Sequence, residues 1–385
     1  MADSYDAWLT ASVTVLKHIE LLLKLFGSAE GVFFAPKDKI QALSFLSDTE
    51  REKLTAKDRE ETRCSIYDYI CKNDISMLKR GEKGYPKRFD CLQDKPYLIF
   101  VQGRLPGEDQ PAIAIVGSRR ASVYGENSAA YFSEALSKRG VSIISGLAMG
   151  IDGVAHKNAL GNPGGTLGIL GSGIGNPYPK ENWQLYRSMR ELGGILSEYG
   201  PLVPPLKQHF PHRNRLISAM ADGVLVIEAS EKSGTLITVD RGLEQGKEIY
   251  ALPGRISDRN SYGCNNLIKQ GARLVTEPEE ILEDLSAIYP GFFANSQASC
   301  QLSFDFSNDI TLMDELSKNS TNCDFTLARD EKVVYSLCRL DEKHFDVLML
   351  ESGLSVPKLS AALYSLEAKG LVRQSIPSHY ARVRG

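Results

Sequence analysis

Between residues 111 and 288 the chain alternates short, unbroken apolar runs with helical patterns, which narrows its architecture more than any other feature. The runs cover 112–116, 141–145, 166–170, 194–197, 223–229, 248–252 and 272–275, and helical periodicity fills most gaps, as at 126–139, 182–192 and 236–245. Strands apolar at every position are buried on both faces, and strands separated by helices pair in parallel. The expectation is an α/β fold with a Rossmann-like parallel sheet as its core. Ligands of such sheets sit at the C-terminal strand ends. In this chain those ends carry Gly117-Ser118-Arg119, Ser145-Gly146, Gly171-Ser172-Gly173 and Glu228-Ala229-Ser230.

The first of these strands, AIAIV, runs into a tight turn bearing the fixed charge of Arg119. Backbone N–H groups, the N-terminus of the next helix and a guanidinium all favour an oxyanion, so the ligand is expected to carry phosphate. A dinucleotide is not expected. No G-x-G-x-x-G follows the strand, and the next strand ends in Ser145-Gly146 where an acidic residue would hold a ribose. The glycine-rich stretch 171–179 lacks the Gly-Lys-Ser/Thr of a nucleotide-hydrolysing loop.

Outside this block, residues 5–79 read as a small helical bundle, with Leu16, Ile19, Leu22, Leu23 and Phe26 at helical spacing and Gly27 as a C-cap. A lead-in with the strand pattern YLIFV follows. Residues 290–327 are rich in Ser, Asn and Gln and read as a linker. Three helical patterns at 331–339, 345–352 and 357–369, then LVRQS and YARVR as strands, describe a winged helix-turn-helix. Its third helix carries only Lys358 and Lys369, thin equipment for reading a groove. The expected division is a helical domain 1–80, a Rossmann-like core 81–290, a linker 291–329 and a winged-helix domain 330–385.

Composition adds bounds. With 385 residues, 42% hydrophobic and 24% charged, the chain has material for a sizeable core. A net charge of −3 predicts no nucleic-acid partner by itself, so such a site has to be a local patch. The cysteines at 64, 71, 91, 264, 300, 323 and 338 form no C-x-x-C pair, as expected of reduced thiols in a cytoplasmic protein. No run reaches the ~18 apolar residues of a membrane span. No metal-ligand spacing is present, and no cofactor is expected.

The patch is the acid-free window between Glu198 and Asp222, which holds Lys207, His209, His212, Arg213 and Arg215 with Phe210 among them. It offers both a phosphate-directed field and a stacking surface; a solvated basic face is the bland alternative. Arg213-Asn214-Arg215 reads as the first turn of a helix, where cations oppose the macrodipole unless an anion bridges them. Ser233-Gly234-Thr235 repeats the strand-glycine-helix arrangement, with Ser233 or Thr235 as cap and Lys232 beside it. Asp152 and His156, four apart on a helix, read as an acid–imidazole pair or, with no nucleophile at matched spacing, as a structural hydrogen bond. No catalytic residue is assigned.

GSRRASVYG, SGLAMGIDGVAH, HFPHRNRLIS, VIEASEKSGTLIT and PGRISDRNSYGCNNLIKQGA, in that order, resemble the DNA processing protein A (DprA, or Smf) family. The resemblance implies a non-enzymatic, dimeric protein that binds single-stranded DNA without sequence preference and loads RecA recombinase during natural transformation. It also implies a sterile-alpha-motif-like N-terminal domain. Carried over residue by residue, the implied DNA contacts are Arg119, Lys180, Lys207, Arg213, Arg215 and Lys232, beside Gly117, Ser118, Ser145, Gly146, Phe210, Asn214, Ser233 and Gly234. His212 departs from the family pattern, which implies pH-sensitive binding. Two alternatives stand. A nucleoside-phosphate hydrolase resembling the lysine-decarboxylase-like proteins needs a Glu one helical turn beyond Gly-Thr, where this chain has Leu236, Ile237 and Thr238. A ligand-sensing winged-helix regulator would show a sequence-specific duplex footprint.

Overall fold

The computed structural model describes residues 2–294, 328–338, 343–376 and 378–382. Two compact units emerge: Met1–Arg120 with Ala129–Tyr289, and Ala121–Ser128 with Pro290–Gly385.

The first unit is built on strands β1 (Ser76–Lys79), β2 (Leu98–Gly103), β3 (Ala112–Gly117), β4 (Ser142–Ser145), β5 (Thr166–Ile169), β6 (Gly194–Ser197), β7 (Gly223–Glu228), β8 (Glu248–Ala251) and β9 (Arg273–Leu274). They form one sheet in the order β1-β2-β6-β5-β4-β3-β7-β8-β9. From β6 to β9 every neighbouring pair is parallel, whereas β2 is antiparallel to both β6 and β1. Each of the seven apolar runs is a strand. β1, with only Met77 and Leu78 apolar, carries no such signal; pairing with β2 makes it a strand.

The chain lays β3, β4, β5 and β6 outward in one direction, then returns to place β7 on the free side of β3, pairing Ile113 with Gly223 and Val116 with Val226. Strand order therefore reverses between β3 and β7. Their carboxyl ends, Gly117 and Glu228, flank the gap in which a parallel sheet binds its ligand.

Six N-terminal helices, α1 (Ser4–Ser12), α2 (Leu16–Phe26), α3 (Ala29–Phe33), α4 (Lys37–Gln41), α5 (Asp48–Thr55) and α6 (Arg59–Lys72), precede the sheet, and α7 (Val123–Lys138), α8 (Ile151–Ala159), α9 (Trp183–Leu192), α10 (His209–Met220), α11 (Thr235–Glu244) and α12 (Tyr262–Lys269) alternate with its strands. Gly27 ends α2 at φ 81°, its N–H bonded to the Leu23 carbonyl. Trp8, Leu22, Ile40 and Ile70 join Phe100, Tyr186, Met189 and Ile195 in one continuous core. Buried Asp6 accepts from Lys79 Nζ at 2.9 Å and from the Tyr97 hydroxyl. The expected boundary at residues 80 and 81 thus divides a single core: the YLIFV strand is apolar at every position because the helices cover it.

The second unit contains helices Arg329–Leu337, Phe345–Ser352 and Val356–Ala368, and strands β10 (Lys343–His344), β11 (Val372–Ile376) and β12 (His379–Arg382). β12 lies between the other two. Val334, Leu348, Leu359, Leu363, Leu366 and Val372 make its core, and Glu331 accepts from Ser365 and Lys369. Most of the expected linker, residues 295–327, lies outside the described residues.

Candidate nucleic-acid interface

A cavity of about 860 Å³ opens at the reversal of strand order. Its floor is the turn after β3, against which helix α8 (Ile151–Ala159) packs tightly. A Cβ on Gly117 would stand 2.6 Å from Ile151 Cγ1, so that position has room only for glycine. Helix α11 (Thr235–Glu244) points its N-terminus into the same space. Thr235 Oγ1 donates to the Gly117 carbonyl at 3.0 Å, and Ser233 Oγ accepts from the Thr235 N–H at 3.2 Å. Ser233 Oγ therefore takes the Thr235 N–H, and the Ser233 and Gly234 carbonyls take those of Leu236 and Ile237, so what α11 presents to a ligand is the positive end of its dipole. A Cβ on Gly234 would meet nothing within 4 Å, so this corner is open.

The basic window folds differently from its sequence reading. Helix α10 spans His209–Met220, beginning four residues before Arg213. The arginines lie in its second turn, and the conflict with the macrodipole expected of them does not arise. Two residues apart, they also leave the helix in different directions. Arg213 is 3% exposed and turns inward, donating to the Gly146 carbonyl at 2.9 Å, to the Ile169 carbonyl, and to Asn214 Oδ1 at 3.1 Å. Burial pulls its pKa down to about 10, with Asp152 opposing the shift, so it stays charged at neutral pH. Arg215 pairs with Glu198 at 2.5 Å and Asp94 at 2.9 Å and does not line the cavity.

Ser145 and Gly146 also stand apart from the ligand space. Ser145 Oγ donates to the Ile115 carbonyl at 2.6 Å, tying β4 to β3, and the Gly146 N–H donates to Asp152 Oδ2 at 3.1 Å. The Asp152 carboxyl is raised by burial although Arg213 opposes it. His156 does not bond to Asp152. It faces Thr166 Oγ1 at 2.7 Å and accepts from the Leu147 N–H at 3.3 Å, and burial depresses its pKa to about 3. His156 belongs to the packed layer under the cavity, whereas Asp152, though buried, forms part of the cavity lining. His212 sits outside it, beside Arg215 at 3.0 Å and Glu198 at 3.8 Å, with its pKa lowered chiefly by desolvation.

What faces the cavity is a smaller, freer set. Arg119 and Lys207 line it with exposed side chains. Arg119 lies 5.8 Å over the Phe210 ring, and Tyr178 stands 5.6 Å from the same ring at 58°. Gly117, Ser118, Asn214, Ser233 and Gly234 also line it, and so does Arg213, although its guanidinium is committed to the Gly146 and Ile169 carbonyls. Lys180 and Lys232 are exposed but outside the lining, two residues from Tyr178 and one from Ser233 respectively. Lining residues outside the expected DNA contacts include Arg120, Tyr178 and Asn260. Arg120 adjoins Arg119, Tyr178 ends the glycine-rich stretch and Asn260 lies in the PGRISDRN motif, so adjacency was the available signal. The glycine loop 171–177 packs on residues 200–203 instead, with Ser172 Oγ bonded to the Asn176 carbonyl and Asn176 Nδ2 to that of Leu202. Among the described residues no group of three or more His, Cys, Asp or Glu could hold a metal ion.

The family described as DNA recombination-mediator protein A matches residues 76–286, the whole sheet of the first unit. The chain belongs to this family. It is 40% identical to protein Smf of Escherichia coli over 317 residues, 80% of this chain and 77% of that one. DNA processing protein DprA of Streptococcus pneumoniae is 43% identical over 200 residues, 52% of this chain and 71% of its own length. The X-ray structure of that DprA superposes with TM-score 0.58 at 32% identity, covering 73% of this chain and 98% of that one. A Helicobacter pylori DNA processing protein A, whose structure is described for its single-stranded DNA binding mode, gives TM-score 0.51 at 30% identity over 56% of this chain and 97% of its own. In the first turn of α11 the positions where a hydrolase of the lysine-decarboxylase-like group needs its glutamate are Leu236, Ile237 and Thr238.

Proposed function

We propose that the cavity between β3 and β7 binds single-stranded DNA through its phosphates, without base preference, and that the protein is a binding protein and not an enzyme. The observation that carries this reading is the coincidence, in one cavity, of unneutralised Arg119 and Lys207, a helix N-terminus and the Phe210–Tyr178 ring pair. Cations suit phosphate, and aromatic rings suit any nucleobase because every base has a π-face. Lys180 and Lys232 extend the cationic path on either side. The single-stranded DNA binding mode described for the H. pylori protein supports the same ligand.

The family's description as recombination mediators supports a further role: presenting the bound strand to RecA recombinase during natural transformation, in the cytoplasm. The C-terminal unit, read as a winged helix, is assigned no share of the strand because Val356–Ala368 carries one lysine, Lys358, within its limits. A twofold dimer would let one strand span two cavities and gain affinity through effective concentration. At the sheet edge Leu267 and Val275 are buried, whereas Leu274 on β9 is 46% exposed and open to a partner. Gel shifts with single-stranded and duplex DNA, beside a nucleoside-monophosphate hydrolysis assay, test the reading. Tight binding of the single strand with no hydrolysis is expected; turnover, or a sequence-specific duplex footprint, would overturn it.

A further inference from the structure

The motif beginning PGRISDRN carries the family resemblance, yet of these eight residues only Asn260 lines the cavity. Residues 252–261 link β8 to helix α12 (Tyr262–Lys269) and form one lip of the cavity through Asn260. The link is pinned along its length. Gly254 N–H donates to Asn265 Oδ1 at 3.2 Å, and Asn265 Nδ2 returns a bond to the Gly254 carbonyl at 2.9 Å. The Ala229 N–H donates to the Asn260 carbonyl at 2.7 Å, fixing the loop to the end of β7. Asn260 Nδ2 donates to the Arg120 carbonyl at 3.1 Å, fixing it to the turn after β3.

From this frame Ile256 projects with 95% of its surface exposed, more than any other large apolar side chain among the described residues. Three residues on, Arg259 is exposed and makes no ion pair or hydrogen bond among the described residues. A free guanidinium disfavours an apolar protein surface as the occupant, because covering it would leave a charge unpaired and desolvated. A strand of nucleic acid satisfies both groups at once. Its phosphates pair with the cation, and its bases offer an apolar face for an aliphatic side chain pushed between them.

We propose that Ile256 is an apolar wedge that breaks the base stack of the strand where it leaves the cavity, with Arg259 holding the phosphate beside it. This rests on the single-strand reading given above. The wedge creates one unstacked step at a fixed place, which a purely electrostatic groove does not.

The test uses the full chain and oligonucleotides carrying 2-aminopurine at successive positions, titrated with wild type, Ile256→Ser, Arg259→Ala and, as a control on the cavity itself, Lys207→Ala. On oligonucleotides just long enough to fill the site, so that their ends fix the register, wild type is expected to brighten the probe at one position only. Ile256→Ser should abolish that step and weaken binding several-fold at an unchanged log–log salt slope. Arg259→Ala should keep the step and make the slope shallower by about 0.7, one phosphate's share for a single strand. If Ile256→Ser matches wild type in brightness and affinity while Lys207→Ala binds poorly, the wedge is wrong and the cavity reading stands. If Lys207→Ala also binds like wild type, the cavity reading fails and the wedge with it. If light scattering shows Ile256→Ser to have lost a dimer that wild type forms, the side chain is an interface residue and the wedge is overturned.

Discussion

Arg213 lines the cavity but is 3% exposed, and its guanidinium is spent on the Gly146 and Ile169 carbonyls, which makes it a support of the cavity wall. In Arg213→Met an apolar stem of similar length remains, but the Gly146 and Ile169 carbonyls lose their donor and Asp152 loses the charge that offsets its burial. Removing one partner of a buried charge pair costs about 3–5 kcal/mol. At about 2–4 °C per kcal/mol that is a fall of roughly 6–20 °C in Tm. The deficit also depends on pH. The folded pKa of Asp152 is raised, and Arg213 is the charge restraining it, so its loss lets the pKa climb further. While the carboxyl is protonated in both folded proteins the deficit is only that of the lost hydrogen bonds; it grows once pH passes the raised folded pKa of the wild-type carboxyl. Thermal melts followed by circular dichroism at pH 4 and pH 7 measure both effects. An Arg213→Met protein that melts with wild type yet binds DNA poorly would refute the assignment and return the guanidinium to the strand.

Other outcomes follow from neighbouring contacts. Gly117→Ala should destabilise the fold, since its methyl meets Ile151, whereas Gly234→Ala should melt like wild type and bind more weakly, because its methyl enters the open corner at the start of α11. Paired melts and titrations separate the two. Tyr178→Ala should weaken binding by about 1–3 kcal/mol, the worth of one stacked base, with little change in salt slope. Equal loss of slope would show the ring to act through a cation instead. His156 is held neutral in the fold with its pKa lowered from 6.5 to about 3, so the stability it gives is present above 6.5 and drains away as pH falls toward 3. His156→Gln should flatten that part of the pH–stability curve, and an unchanged acid limb would disprove the assignment. A fragment of residues 2–289 should fold and retain the DNA contact, while one starting at residue 81 should not fold, because it strips the cover from Phe100 and Ile195. A folded 81–289 fragment would show that the helices are an independent module.

The strands were legible because a parallel sheet buries both faces and writes itself as unbroken apolar runs. The reversal of strand order was not, since it depends on where β7 returns, which no local pattern records. Within the site, Arg119, Lys207 and Phe210 were legible as residue types at a strand end. The exclusion of Arg215 was not legible: its partners Glu198 and Asp94 lie 17 and 121 positions earlier in the chain, and only the fold brings them together. Ser145 and Gly146, at the end of β4, lie outside the cavity lining for a related reason: Asp152 of α8 and Arg213 occupy the space above Gly146. The helical cover over β2 was read as a separate module because amphipathic helices look alike whether they pack on one another or on a sheet.

The central claim is that affinity comes from a few free cations around one cavity. Of six cations foreseen, four remain unburied: Arg119, Lys180, Lys207 and Lys232. Single-strand affinity measured across a range of salt concentrations should give a log–log slope near −3, about 0.7 per phosphate for four contacts. In the Arg119→Ala/Lys207→Ala double variant the slope should fall to roughly half that, with strongly reduced affinity and an unchanged thermal midpoint. A double variant that keeps both the slope and the affinity of wild type would contradict the account.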